Sequence, residues 1–127
     1  MKALVVDDSR SMRAILAKQL KELGFTVSEA ENGQEALAQL HADGATDLVL
    51  LDWNMPGMDG AEVLAIIRSE PNYRNVRVMM VTTESEMSQV AVALEAGANE
   101  YLMKPFDRAS LVEKLVLLGM DPTGRTV

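Results

Sequence analysis

Asp47-Leu48-Val49-Leu50-Leu51-Asp52-Trp53-Asn54-Met55-Pro56-Gly57-Met58-Asp59-Gly60 decides how this chain folds. The apolar run 48–51 does not alternate with polar residues, so it reads as a strand buried on both faces. It delivers one carboxylate, Asp52, at its C-terminal end, and a Pro/Gly-rich turn follows at once. In open α/β sheets, ligands and chemistry sit in the crevice outside the carboxyl ends of the strands. Asp52 therefore stands where a reacting group belongs.

Outward from this stretch the same unit repeats. On the N-terminal side, Ala3-Leu4-Val5-Val6 is a short buried strand ending in Asp7-Asp8. Ser9 caps a helix running to about Leu23, with Met12, Ile15, Leu16, Leu20 and Leu23 on one face, and Gly24 ends it. The second strand, 25–30, is less apolar and suits an edge; Asn32 and Glu35 then open a helix carrying Ala36, Leu37 and Leu40. On the C-terminal side, Asp59 and Gly60 open a third helix with Val63, Leu64, Ile66 and Ile67 inward, broken near Pro71. A fourth strand over 76–81 leads to Thr82-Thr83, and a helix from about Glu86 to Ala96 carries Val90, Ala93 and Leu94. A fifth strand over 100–103 leads to Lys104-Pro105-Phe106, and the last helix holds Leu111, Val112, Leu115, Val116 and Leu118 up to Gly119. The remaining 120–127 reads as a short, frayed tail. Strands alternating with helices through short connections define an α/β fold with a parallel sheet covered on both faces.

Composition narrows the function. A length of 127 residues is one domain, and the absence of cysteine rules out disulfides and thiolate metal sites and fits the cytoplasm. The net charge of −7 argues against nucleic acid and anionic membranes. No apolar stretch approaches the roughly eighteen residues of a membrane span. His41, the only histidine, lies among polar neighbours and reads as a surface residue.

Strand ends carry the chemistry: Asp7 and Asp8, Asp52, Thr82 and Lys104. With the strand order 2-1-3-4-5, the first and third strands are neighbours and the three acids form one cluster. Clustered carboxylates cannot all stay ionised cheaply unless a cation neutralises them, and oxygen ligands without His or Cys favour Mg²⁺. Thr82 adds a hydroxyl and Lys104 a positive charge. This set suits phosphoryl transfer onto an aspartate. Singly, each residue has a plainer role as a helix cap, a dipole partner or a surface charge. Their joint arrival at successive strand ends favours chemistry.

Val5-Val6-Asp7-Asp8-Ser9, Leu51-Asp52-Trp53-Asn54-Met55-Pro56, Val81-Thr82 and Lys104-Pro105-Phe106 resemble the signature of the response-regulator receiver domain, over residues 1–119. The resemblance implies a flavodoxin-like (βα)5 single domain. It also supplies the order 2-1-3-4-5, of which chemotaxis receivers are themselves a standing example. It makes Asp52 the phosphoacceptor for a histidine kinase, and Asp7, Asp8, Asp52 and the Asn54 carbonyl the Mg²⁺ site, with Asp7 acting largely through water. It makes Lys104 the partner of the acids and then of the phosphate, and Thr82 and Tyr101 the switch pair. Asn54 and Glu84 match positions that tune dephosphorylation. Such a protein is a signalling phosphoprotein that catalyses only its own phosphoryl transfer and autodephosphorylation.

Within the family the likeness is to stand-alone chemotaxis receivers, carried by Trp53, Asn54-Met55-Pro56, Met58-Asp59-Gly60 and Met80-Val81-Thr82. With no output domain after Gly119, the expected partners are a CheA-like histidine kinase and a flagellar motor switch protein, met by a cytoplasmic monomer. The motor partner would dock on the face made by the fourth helix, fifth strand and fifth helix. Kinase pairing would fall to surface residues near the first helix, among them Arg10, Met12 and Arg13. The last helix is shorter by about one turn than in the enteric receiver, which bears on that output face. A second role with the same chemistry is a phosphorelay intermediate or phosphate sink, which needs a histidine phosphotransfer protein instead of a motor. A haloacid-dehalogenase-type aspartyl phosphatase would carry its nucleophile in a D-x-D motif on the first strand, which here ends Asp7-Asp8-Ser9. A flavodoxin-like nucleotide binder would want a Gly-rich loop where those acids stand.

Overall fold

The computed structural model describes residues 1–120, apart from the side chains of Asp43 and Glu84. The order is β1 (Lys2–Val6), α1 (Arg10–Glu22), β2 (Thr26–Ala30), α2 (Gly33–Asp43), β3 (Leu48–Asp52), α3 (Gly60–Ser69), β4 (Arg77–Thr83), α4 (Val90–Glu95), β5 (Glu100–Lys104) and α5 (Arg108–Leu117). The five strands form one parallel sheet in the order β2-β1-β3-β4-β5. β2 is an edge strand, as its weaker apolar character implies.

Successive residues of a strand face opposite sides of the sheet, and here both sides are covered. Leu4, Val6, Val49, Leu51, Val78 and Met80 pack under α2, α3 and α4. Ala3, Val5, Leu48, Leu50, Met79 and Val81 pack under α1 and α5. The helices start on caps visible in the sequence: Ser9, Asn32 and Asp59 each accept a backbone N–H three residues on.

Several expectations need correction. Ile15, Ile66 and Leu94 are exposed, because each stands at the rim of its helix's apolar stripe while Leu16, Ile67 and Ala93 take the core positions. The helix expected from Glu86 to Ala96 starts as a 3₁₀ helix, Glu84–Gln89, before α4. Glu86 accepts from the Thr83 N–H (2.9 Å) and hydroxyl (3.0 Å), which ties down the first turn. The segment offers little apolar surface before Val90, so packing does not impose α-helical winding. β4 runs through Thr83, so Thr82 lies inside the strand. Met120, grouped with the tail by sequence, is buried in the α1/α5 core, and its N–H donates to the Leu115 carbonyl. Residues 121–127 lie outside the described part.

Arg68 ties together the end of the sheet opposite the acids. From the last turn of α3 it donates to the carbonyls of Gly97 (2.8 Å), Tyr73 (3.0 Å) and Val76 (2.7 Å) and to Asn99 Oδ1 (2.8 Å). Arg68→Met strips these acceptors of a charged donor while keeping the aliphatic stem. A loss of about 2 kcal/mol in urea unfolding is expected, since water reaches the half-buried site and replaces part of the bonding.

Candidate functional site

Register explains how the acids meet. Val6 pairs with Leu51, so Asp7 and Asp52 each stand one step past the same rung, side by side at the C-terminal edge. Asp52 in turn pairs with Val81, which brings Thr82 alongside, and Thr83 pairs with Lys104. Oxygens of Asp7, Asp8 and Asp52 come within 4.8 Å of one another. Asp7, Asp52 and Thr82 are the buried polar residues among those described, whereas Asp8 is exposed.

The Lys104 ammonium bridges the pair, 3.2 Å from Asp7 Oδ2 and 3.4 Å from Asp52 Oδ1. The Ser9 N–H donates to Asp7 Oδ1 at 2.8 Å, so the cap of α1 also orients an acid. The Asn54 N–H reaches Asp52 Oδ1 at 3.4 Å, and the Asn54 residue is exposed. Burial and the neighbouring Asp7 charge push the Asp52 carboxyl up to about 6, although Lys104 pulls the other way. Burial works against the charged form of Lys104, yet the Asp52 and Asp7 charges and its hydrogen bonds to both outweigh it and raise its pKa. Three carboxylates against one ammonium leave negative charge to spare, so the donor set fits a hard divalent cation.

Gly60 lets the acceptor loop close on itself. Its N–H donates to the Trp53 carbonyl at 3.0 Å, and a Cβ there would lie 2.5 Å from the Asp52 carbonyl oxygen. The Lys104–Pro105 peptide is cis.

Among the described residues, Thr82 Oγ1 is buried with no hydrogen-bond partner. A buried unsatisfied hydroxyl costs roughly 1–3 kcal/mol. Thr82→Val, which keeps the shape, is therefore expected to stabilise the unphosphorylated chain by about 1 kcal/mol in urea unfolding. Tyr101 is half-buried against the α2/α3/α4 core, with the Lys114 ammonium 4.0 Å from its ring centroid. That lysine is also paired with Glu100 at 3.2 Å. Glu84 opens the 3₁₀ helix, and its side chain lies outside the described part.

Sequence reasoning named the acids, the lysine and the threonine and placed Gly60 at the start of a helix, but missed its close approach to the acceptor's backbone. It also set Arg13 on the surface. The Arg13 side chain is only 13% exposed, and its guanidinium donates to the Asp7 carbonyl at 2.7 Å.

The model of the response regulator receiver domain aligns with residues 3–116 of this five-stranded parallel fold, and the chain belongs to that family. Its curated relatives include the chemotaxis protein CheY1 of Helicobacter pylori, 45% identical over 123 residues, which span 95% of this chain and 99% of that one. The chemotaxis protein CheY of Pseudomonas aeruginosa is 43% identical over 116 residues, covering 91% and 93%. The solved structure of Vibrio cholerae chemotaxis protein CheY4 superposes with a TM-score of 0.83 at 34% identity, covering 91% of this chain and 95% of that one. The chain is thus a receiver domain of the CheY type. Among its described residues no helix is long and apolar enough to cross a membrane.

Proposed function

We propose that the chain is a phosphorylation-driven switch of a chemotaxis pathway, with Asp52 as the acceptor. The observation that carries this reading is the buried Asp7–Asp52 pair, joined by Asp8 and bridged by Lys104. An Asp52 oxygen attacks the phosphorus of a kinase phosphohistidine. The O–P bond forms as the P–N bond breaks, and the imidazole leaves with the electron pair. Asp7, Asp8, Asp52 and the Asn54 carbonyl would hold Mg²⁺, which when bound offsets the charge on the carboxylates and the phosphoryl oxygens.

Lys104, already between the two acids, pairs with the incoming phosphoryl oxygens. The unpartnered Thr82 hydroxyl has a donor to offer them, and its movement opens space for Tyr101 to turn inward. Asn54 and Glu84 flank the water that later cleaves the acyl phosphate to the Asp52 carboxylate and inorganic phosphate. Output is a docking event, and phosphorylation and partner binding shift the same equilibrium. Val92 and Leu94 of α4 and Met103 of β5 are exposed apolar residues at 61%, 42% and 39%, which suits a partner on that face. The chemotaxis names of the relatives favour a flagellar motor switch as that partner and a histidine kinase as the donor.

Trp53, the only tryptophan, adjoins the acceptor and reports on it. Its fluorescence is expected to respond to Mg²⁺ and then to phosphoramidate, with quick recovery after the donor is removed. The donor response is expected to vanish in Asp52→Asn. Slow recovery would instead favour a phosphorelay intermediate. No response, together with no mass gain at Asp52, would remove the reading.

A further inference from the structure

We infer that Arg13 is a positioning residue for the acidic cluster: its guanidinium clamps the turn that aims Asp7 and Asp8 at Asp52. The inference rests on reading those acids as the Mg²⁺ site.

The need for a clamp follows from where β1 stops. The strand ends at Val6, and the Asp7 N–H makes a last bond to the Ala30 carbonyl of β2 at 3.1 Å. From there the backbone turns out of the sheet into α1, so the Asp7 carbonyl has no strand to pair with. Arg13 Nη1 donates to it at 2.7 Å, and Arg13 Nε lies 3.5 Å from Glu29 Oε1 on the edge strand β2. The Arg13 N–H also bonds the Ser9 carbonyl at 3.0 Å, which anchors the arginine one turn into α1. The residue therefore links the turn 7–9 to α1 through its own place in the helix, and its side chain reaches the turn's Asp7 carbonyl and the Glu29 carboxylate of β2.

The two acids depend on this clamp to different degrees. The Asp7 carboxylate is held by the Ser9 N–H on one oxygen and Lys104 on the other. Asp8 is exposed, and its approach to Asp7 and Asp52 is set by the path of the turn. Loosening the turn therefore moves the weakest-held ligand first. Groups that orient metal ligands typically matter at about 10–100-fold in affinity, even without touching the metal. A docking cation would keep its donors in water, but this guanidinium is turned inward and committed to two acceptors.

Arg13→Met in the whole chain keeps the stem and removes the donors. The Mg²⁺ affinity read by Trp53 is expected to fall about tenfold, with phosphorylation by phosphoramidate recovering at high Mg²⁺. In the metal-free protein, amide hydrogen exchange at Asp7 and Ser9 should quicken while α3 is unchanged. Arg13→Lys should regain part of the affinity. Glu29→Gln, which frees only the outer end of the clamp, should lose less, and it keeps the test open if Arg13→Met fails to fold. Unchanged Mg²⁺ affinity with lowered stability would overturn the inference in favour of simple packing. A defect confined to transfer from a histidine kinase would overturn it in favour of docking. A parent chain indifferent to Mg²⁺ would overturn the cluster reading as well, which separates the two failures.

Discussion

Asp52→Asn is expected to unfold later than the parent chain in metal-free buffer at pH 7.5, by about 3 kcal/mol, while accepting no phosphoryl group. Burial and the Asp7 charge raise the folded Asp52 carboxyl from 3.8 to about 6, so its ionised form is disfavoured in the fold. Well below pH 3.8 the carboxyl is protonated in both folded and unfolded chains, and it contributes no difference. As pH rises from about 4 to about 6 the unfolded chain releases the proton first, and the folded state loses stability over that window. Above it the full penalty is present, and the neutral amide escapes it. Urea unfolding at pH 4 and pH 7.5 in a chelator reads the effect directly, and the gap between variant and parent should be small at pH 4 and open fully at the higher pH. Mg²⁺ should narrow it by stabilising the parent. An equal gap at both pH values would mean that the acid is not under electrostatic strain.

Gly60→Ala is expected to cost about 3 kcal/mol or more and to slow phosphorylation sharply, although it adds a single methyl group. That methyl would meet the Asp52 carbonyl oxygen at 2.5 Å and Trp53 Cα at 2.9 Å, and both are backbone atoms. No rotamer change relieves such a contact, so either α3 or the acceptor itself must shift. Gly57→Ala is the matched control. Gly57 sits at φ +76° with nothing among the described residues within 4 Å of a would-be Cβ, so only backbone strain of about 1–2 kcal/mol is expected there. Urea unfolding and the rate of phosphoramidate labelling, run on both variants, test the difference. Equal effects at the two glycines would show that close approach at Gly60 is unimportant.

The candidate site was legible wherever a residue type and its place in the chain carried the same message. Asp52 closes an unbroken apolar strand, and Lys104 closes β5, so each reaches the edge by strand geometry alone. Arg13 was not legible. A long polar side chain on a helix can turn outward or reach back several ångströms to a carbonyl, and only the folded partner decides. Ile15 and Leu94 failed for a related reason: helical spacing names a stripe, but the tilt of each helix on the sheet chooses which rim residue stays in water. Tyr73, buried beside Arg68 in the connection after α3, gave no periodic signal because it lies in a single 3₁₀ turn.

By itself the amino-acid sequence determined the alternation of strands and helices, the buried sheet, and the acid, hydroxyl and lysine near the C-terminal ends of four of the strands. These follow from local periodicity, capping and breaker residues, which act over a few positions. Only the tertiary structure decided the distances that make a site: the shared rung that sets Asp7 beside Asp52, the reach of Lys104 to both, and the unpartnered Thr82 hydroxyl. It also decided the inward turn of Arg13 and the backbone contact at Gly60. Those depend on strand register and helix tilt, which are fixed by packing between residues far apart in the chain.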